Sequence, residues 1–336
     1  MNFDPSIPTG LAIVMGLMAA SMWGTWFISL KYLKNYPIEA FYITLFSSSM
    51  VLVWSVGFIL DGRALLGNLK TIWQVDPARI LVTLGCGFLY VAGMQFSLRV
   101  IKVIGLSLSQ PLQASINLIG GTFLSGLIGG VPESMTLMRI VISGIFLMLA
   151  IILTMKAGNL RNSAQEAKQV DTGLSKDPKA IRKAIIMLVI GSAFVPAYST
   201  ALSYGLKSIT QPGGMAVMPF MITLCTGAFI GAVAICGTIL TMKRQWHVFW
   251  TNGMNIHIFG ILSGVAHYGG NIIHTFATRN LSSVVSWPLG ITAGLWTQMW
   301  GLVYGEFKGS PKITYVYLFV GIFCYLIGAF VISNIL

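Results

Sequence analysis

The sequence predicts an all-α integral membrane protein of ten transmembrane helices arranged as an inverted 5+5 repeat. Three observations predict it. Of 336 residues, 55% are apolar and only 9% charged, with a mean hydropathy of +0.80, whereas soluble domains carry about a quarter charged residues. Apolar runs of membrane length recur along the chain with short gaps between them. The stretch "SLSQPL" returns as "VVSWPL", which puts Pro111-Leu112 and Pro288-Leu289 177 positions apart.

A helix needs about 20 residues to cross the hydrocarbon core. On that measure the spans are 8–30, 38–60, 79–98, 104–129, 135–156, 182–205, 213–241, 255–277, 281–304 and 313–335. The first follows "MNFDPSIPTG", which holds no Lys or Arg. A signal peptide starts basic and ends on a small-residue cleavage site, so this run reads as a membrane helix. The second opens with Glu39 after "YP", where an acid suits the positive end of a helix dipole. The fifth and sixth are separated by the polar stretch 157–181, the expected linker between an N-terminal repeat (1–156) and a C-terminal repeat (182–336). Within the sixth, "VPAYST" places Pro196 mid-span, where freed carbonyls need other partners.

The net charge of +12 would suggest nucleic acid in a soluble domain, but here the basic residues lie between the apolar runs. Arg63, Lys70, Arg79, Arg139, Lys207 and Arg279 fall on one side, and the other 15 of the 21 Lys and Arg on the linker side. The positive-inside rule therefore puts the linker in the cytoplasm and both termini outside.

The repeat extends beyond the two prolines. At the same offset Gly87 meets Gly264, Tyr90 meets His267, Gly93 meets Gly270, Lys102 meets Arg279 and Ser109 meets Ser286. Glu133 and Glu306 close the respective copies. Five helices per half make the second copy enter from the opposite face, an architecture that serves alternating access around a site near the midplane. Pro111 and Pro288 are then expected at symmetry-related positions near helix starts. There they would frame gates, lose no ladder bond, and have Ser109 and Ser286 bonding the local backbone.

Polar side chains inside the spans mark the candidate site. His267, Asn271 and His274 share one helix face at i, i+4, i+7; Gln110, Gln113 and Asn117 do so at i, i+3, i+7. Amides supply both donors and acceptors to a neutral polar solute. Trp23 and Trp26 flank Gly24 and could stack on a solute ring, while Trp246 and Trp250 suit an interfacial belt. Tyr90 and Tyr198 are expected to face the centre. The spans hold no mid-span carboxylate, so His267 is the first candidate for proton coupling, with Glu39 the second. Gly120, Gly121, Gly126, Gly129, Gly130, Gly264, Gly269 and Gly270 read as close helix contacts.

Cys86, Cys225, Cys236 and Cys324 lie in apolar runs without metal spacing and read as small hydrophobes. Phosphate loop, HExxH and nucleophile elbow are all missing from the sequence, so an ATP-driven pump and an enzyme are disfavoured. Neither a cofactor nor a metal is expected.

Four stretches resemble a known family: "GLMAASMWGTWFISLKYLKNYPIEAFY", "GMQFSLRVIKVIGLSLSQPLQASINLIGGT", "KAGNLRN" and "GLVYGEFKG". They are similar to the drug/metabolite transporter superfamily, in particular its L-rhamnose-proton symporter and glucose/ribose porter branch. "SWPLGITAGLWTQMWGLVYGEFKG" also resembles plant ureide permeases. The resemblance implies a multi-pass inner-membrane transporter with a cavity lined by spans 1, 3, 4, 6, 8 and 9. That cavity would collect Trp23, Trp26, Tyr90, Gln110, Gln113, Asn117, Tyr198, Asn271 and His274 around the solute, with His267 beside them. The implied cargo is a rhamnose-like sugar carried with protons. The alternatives are a ureide, nucleobase or other small metabolite, and a membrane scaffold or sensor without transport. The bilayer and a small solute are the expected partners, and nucleic acid is not one.

Overall fold

A computed structural model describes residues 5–33, 35–104, 106–166, 177–192, 194 and 196–333; the side chains of 97–99, 101, 102, 104, 106–112, 165 and 166 lie outside this description. Among the described residues the chain is helical, and the single β-bridge joins Leu206 to Met215. Helix α1 (Thr9–Thr25) tightens into a 3-10 segment, Trp26–Tyr32. There follow α2 (Ile38–Asp61), α3 (Ala64–Val75), α4 (Pro77–Ile104), α5 (Leu106–Gly129) and α6 (Leu137–Glu166). The second half comprises α7 (Pro178–Ser192), α8 (Ala197–Gly205), α9 (Val217–Met242), α10 (Val248–Thr251), α11 (Met254–Leu281), α12 (Ser283–Ile291), α13 (Ala293–Val303) and α14 (Lys312–Ile332).

Seven segments among the described residues are long and apolar enough to cross a membrane: α1 with its 3-10 extension, α2, α4, α6, α7 with α8, α9 and α14. The expected ten therefore reduces to seven on this criterion. For α11 and for the expected span 281–304 the reasons are local. Helix α11 carries His257, His267, Asn271, His274 and Arg279, and the expected span 281–304 is broken at Thr292 into α12 and α13. Thr292 donates its amide to Leu289 O at 3.1 Å and its hydroxyl to the same carbonyl at 2.6 Å. This tightens the chain into a turn between the two helices.

Other boundaries move as well. Helix α6 runs ten residues past the expected end at 156, because "KAGNLRNSAQE" is rich in helix formers and free of Pro. The expected span 182–205 divides before α8, where Pro196 cannot donate to a helical ladder. The twelve-residue α3 is too short to span and too amphipathic for a plain loop.

The helix bounds repeat at the offset read from the sequence. Helix α4 and helix α11 start and end 177 positions apart, and so do the first residues of α5 and α12. Packing follows the same exchange. Helix α4 packs on α9 as α11 packs on α2; α4 packs on α7 and α8 as α11 packs on α1; α2–α9, α5–α12 and α6–α14 pair across the two halves. Gly87 and Gly264 explain part of this. A Cβ on Gly87 would meet the α9 backbone at Leu224 and Ala228, and one on Gly264 would meet Leu45 O and Ser48 on α2. In lipid, association relies on such close backbone approach.

Pro288 corrects an expectation. It is the sixth residue of α12, inside the helix rather than in its first turn, so a ladder bond is lost. Pro111 likewise falls sixth in α5. Ser286 does not bond the local backbone with its hydroxyl, which lies 2.7 Å from Thr278 Oγ1 on α11. Ser109 lies outside the described side chains.

Candidate functional site

Where the two halves meet, the helices line a cavity of about 190 Å³. The first half supplies Trp23, Trp26 and Phe27 from α1 and the 3-10 segment, Tyr42, Tyr90, Met94, Gln113, Asn117 and Thr154. The second half adds Tyr198, His267, Asn271, Trp287, Gly290, Ile291, Gly294, Thr297, Gln298 and Tyr325. Among the described residues lining it, none is Asp, Glu, Lys or Arg. Such a wall suits an uncharged solute, since a buried charge would find no opposite partner.

The aromatic walls are seated on glycines. Trp23 donates its indole N–H to Asn271 Oδ1 at 2.8 Å, and a Cβ on Gly270 or Gly290 would stand 2.8 or 2.6 Å from its ring. Trp287 donates to Asn117 O at 2.9 Å across the two halves, and its ring occupies the space a Cβ on Gly121 would need. Tyr325 abuts Gly294 in the same way. Gly121 and Gly270, expected as plain helix contacts, are thus seats for cavity rings.

Three lining residues keep a buried polar atom with no protein partner: Asn117 Oδ1, His267 Nδ1 and Asn271 Nδ2. For Asn271 the amide orientation follows from chemistry. An indole only donates, so Oδ1 faces Trp23 and Nδ2 is left to donate. An unmet buried group of this kind costs about 1–3 kcal/mol, a cost that a hydroxyl-bearing solute would offset.

His267 is held 3.1 Å from the Tyr90 hydroxyl through Nε2, amid the rings of Trp26, Phe46 and Tyr268. The pair realises the sequence match of Tyr90 with His267. His274 stands differently from expectation, behind the wall rather than on it. It is fully buried, with Nε2 donating to Ser286 O at 2.9 Å and Nδ1 3.4 Å from the Tyr198 hydroxyl. Its ring backs Trp23 at 4.8 Å between centroids.

Of the sequence-predicted residues, Trp23, Trp26, Tyr90, Gln113, Asn117, Tyr198, His267 and Asn271 come together on the cavity. Glu39 does not: it is buried in the first turn of α2 and accepts from Lys243 at 3.0 Å. The side chains of Gln110 and Pro111 lie outside the described residues, and Pro288 stands next to Trp287 without lining the cavity. Sequence reasoning missed Tyr42, Trp287, Thr297, Gln298 and Tyr325. Trp287 carried a signal, since it sits 177 positions after Gln110.

The chain is similar to the Probable glucose uptake protein GlcU of Staphylococcus aureus strain MRSA252, with 23% identity over 328 residues, 97% of this chain and 99% of that protein. The proteins of the same name from strains Mu50 and N315 match to the same extent. No family model matches the chain. Seven apolar segments of membrane length among the described residues, together with end-to-end similarity to an uptake protein, make this a multi-pass protein of the cell membrane.

Proposed function

We propose that the protein is a secondary transporter that carries a small, uncharged, hydroxyl-rich solute of the sugar type across the inner membrane. Ten spans in two inverted five-span halves would rock around the central cavity. The observation that carries this reading is the cavity itself: rings from both halves, amide and imidazole atoms still unmet, and no charged residue among those described on its walls. Sugars present apolar C–H faces for rings and hydroxyls that both donate and accept. The full-length similarity to a glucose uptake protein supports the same cargo class, and a rhamnose-like sugar is the finer choice.

His267 is the coupling group in this reading, since it lines the cavity and holds one ring nitrogen without a partner. Glu39, already paired with Lys243, is not needed for it. A ureide or nucleobase is the second reading, favoured by the density of rings, on which a planar heterocycle would stack.

The test is a thermal-shift screen of the purified protein with D-glucose, L-rhamnose, allantoin and uracil, followed by uptake into proteoliposomes with an imposed proton gradient. A ligand that binds the folded state raises the melting temperature with occupancy. A sugar should stabilise and be taken up, and dissipating the gradient or substituting His267→Ala should abolish accumulation. Stabilisation by allantoin or uracil alone would replace the sugar reading. Uptake indifferent to both the gradient and His267 would remove the coupling assignment.

A further inference from the structure

Three of the motifs quoted from the sequence meet at one point. Lys31 lies in the last turn of the 3-10 segment after α1, Arg161 lies in the last turns of α6, and Glu306 lies between α13 and α14. Lys31 Nζ donates to Glu306 Oε1, and Arg161 donates to Glu306 Oε2 at 2.5 Å. One carboxylate from the second half thus serves two cations from the first, at the end of the bundle where α6 leads into the linker. Aromatic contacts extend the joint: the Tyr32 and Tyr304 hydroxyls are 3.0 Å apart, Lys31 lies over the Tyr304 ring, and Arg161 lies over Phe307.

This joint is mechanically continuous with the cavity. The seven-residue segment Trp26–Tyr32 carries cavity wall at one end, through Trp26 and Phe27, and the charge joint at the other, through Lys31 and Tyr32. On the facing side α13 carries Thr297 on the cavity and leads within three residues of its end to Glu306. The two run together. A Cβ on Gly24 would stand 2.6 Å from Ala293 O, Thr297 Oγ1 reaches Gly24 O at 3.5 Å, and the Trp300 indole donates to Thr25 Oγ1 at 3.0 Å. At seven residues the 3-10 segment is longer than such turns usually run at a helix end.

We propose that Glu306, gripped by Lys31 and Arg161, is a latch that holds the two halves shut at the linker end, and that the 3-10 segment transmits cavity occupancy to it. The proposal rests on the alternating-access reading above. Releasing the latch shifts the balance toward the state open at the linker face, because only interactions that differ between two states move their populations.

The test measures how fast a membrane-impermeant maleimide labels Thr297→Cys from each face of oriented vesicles, with Glu306 intact or replaced in Glu306→Gln. The labelling is scored above the background of the four buried native cysteines. Expected is a rise of about three- to tenfold in labelling from the linker face, the effect of losing one or two screened ion pairs on a two-state balance. The opposite face should show a reciprocal fall. Lys31→Gln should act in the same direction, and high salt should raise linker-face labelling with Glu306 intact but not in Glu306→Gln. Equal rates in both backgrounds, with both faces reactive, would overturn the latch and leave alternating access standing. A rise at the linker face without a fall at the other would overturn alternating access, and the latch with it.

Discussion

Trp23 is placed by three neighbours at once: the acceptor on Asn271 and the missing side chains of Gly270 and Gly290. Filling either glycine overpacks the wall, at a cost of typically about 1–3 kcal/mol. Gly290→Ala should therefore push the indole off its bond to Asn271 and weaken solute binding about tenfold or more. Gly144→Ala, where nothing lies within 4 Å, should leave binding unchanged. Titration of both variants with the stabilising sugar checks this, and equal affinities would show that the seat does not matter. The i, i+4 spacing of His267 and Asn271 was legible in the sequence because helical periodicity alone puts them on one face. Trp287 was not, because its position depends on a hole at Gly121 in another helix. His274 shares the face of Asn271 yet stands behind Trp23, since the broad ring takes the cavity side of that stripe.

At the scale of elements, apolar length carried the reading of α2, α9 and α14, whose bounds fall close to those expected. The break at Thr292 and the 3-10 segment were not legible, because both depend on contacts with neighbouring helices more than on local composition. One joint shows what the repeat adds. Ser282, between α11 and α12, has φ +70° and ψ 161°, a region that is essentially reserved for Gly and costs about 1–3 kcal/mol otherwise. Its counterpart 177 positions earlier is Gly105. The Ser282 hydroxyl is also buried without a partner. Ser282→Gly relieves strain and removes that hydroxyl, against an unfolded-state entropy cost of about 0.5–1 kcal/mol. The variant should be more stable by about 1 kcal/mol in thermal unfolding. An unchanged or lower melting temperature would mean that the surrounding contacts, rather than the residue, set the cost of this turn.

For the whole molecule, the criteria of apolar length and of repetition differ: seven segments among the described residues pass the first, while the second implies ten. For α11 and the pair α12–α13 the disagreement has a physical origin. A helix that lines a polar cavity buries its amides and imidazoles inside the bundle, so its mean hydropathy falls although its outer face still meets lipid. Helix α11 fits that description, with His267, Asn271 and His274 buried and Ile258, Ile261, Leu262 and Val265 exposed. The pair α12–α13 is interrupted at Thr292, so neither piece reaches spanning length alone. Parity separates the two counts. Ten spans return the chain to its starting face, whereas seven leave its ends on opposite faces. A reporter ahead of Met1 and one behind Leu336 should therefore report the same compartment, and one inserted between 167 and 176 the other. From the excess of Lys and Arg on the linker side we propose that this second compartment is the cytoplasm. Terminal reporters on opposite faces would exclude an even number of spans and, with it, two inverted five-span halves, whatever the match between α4 and α11.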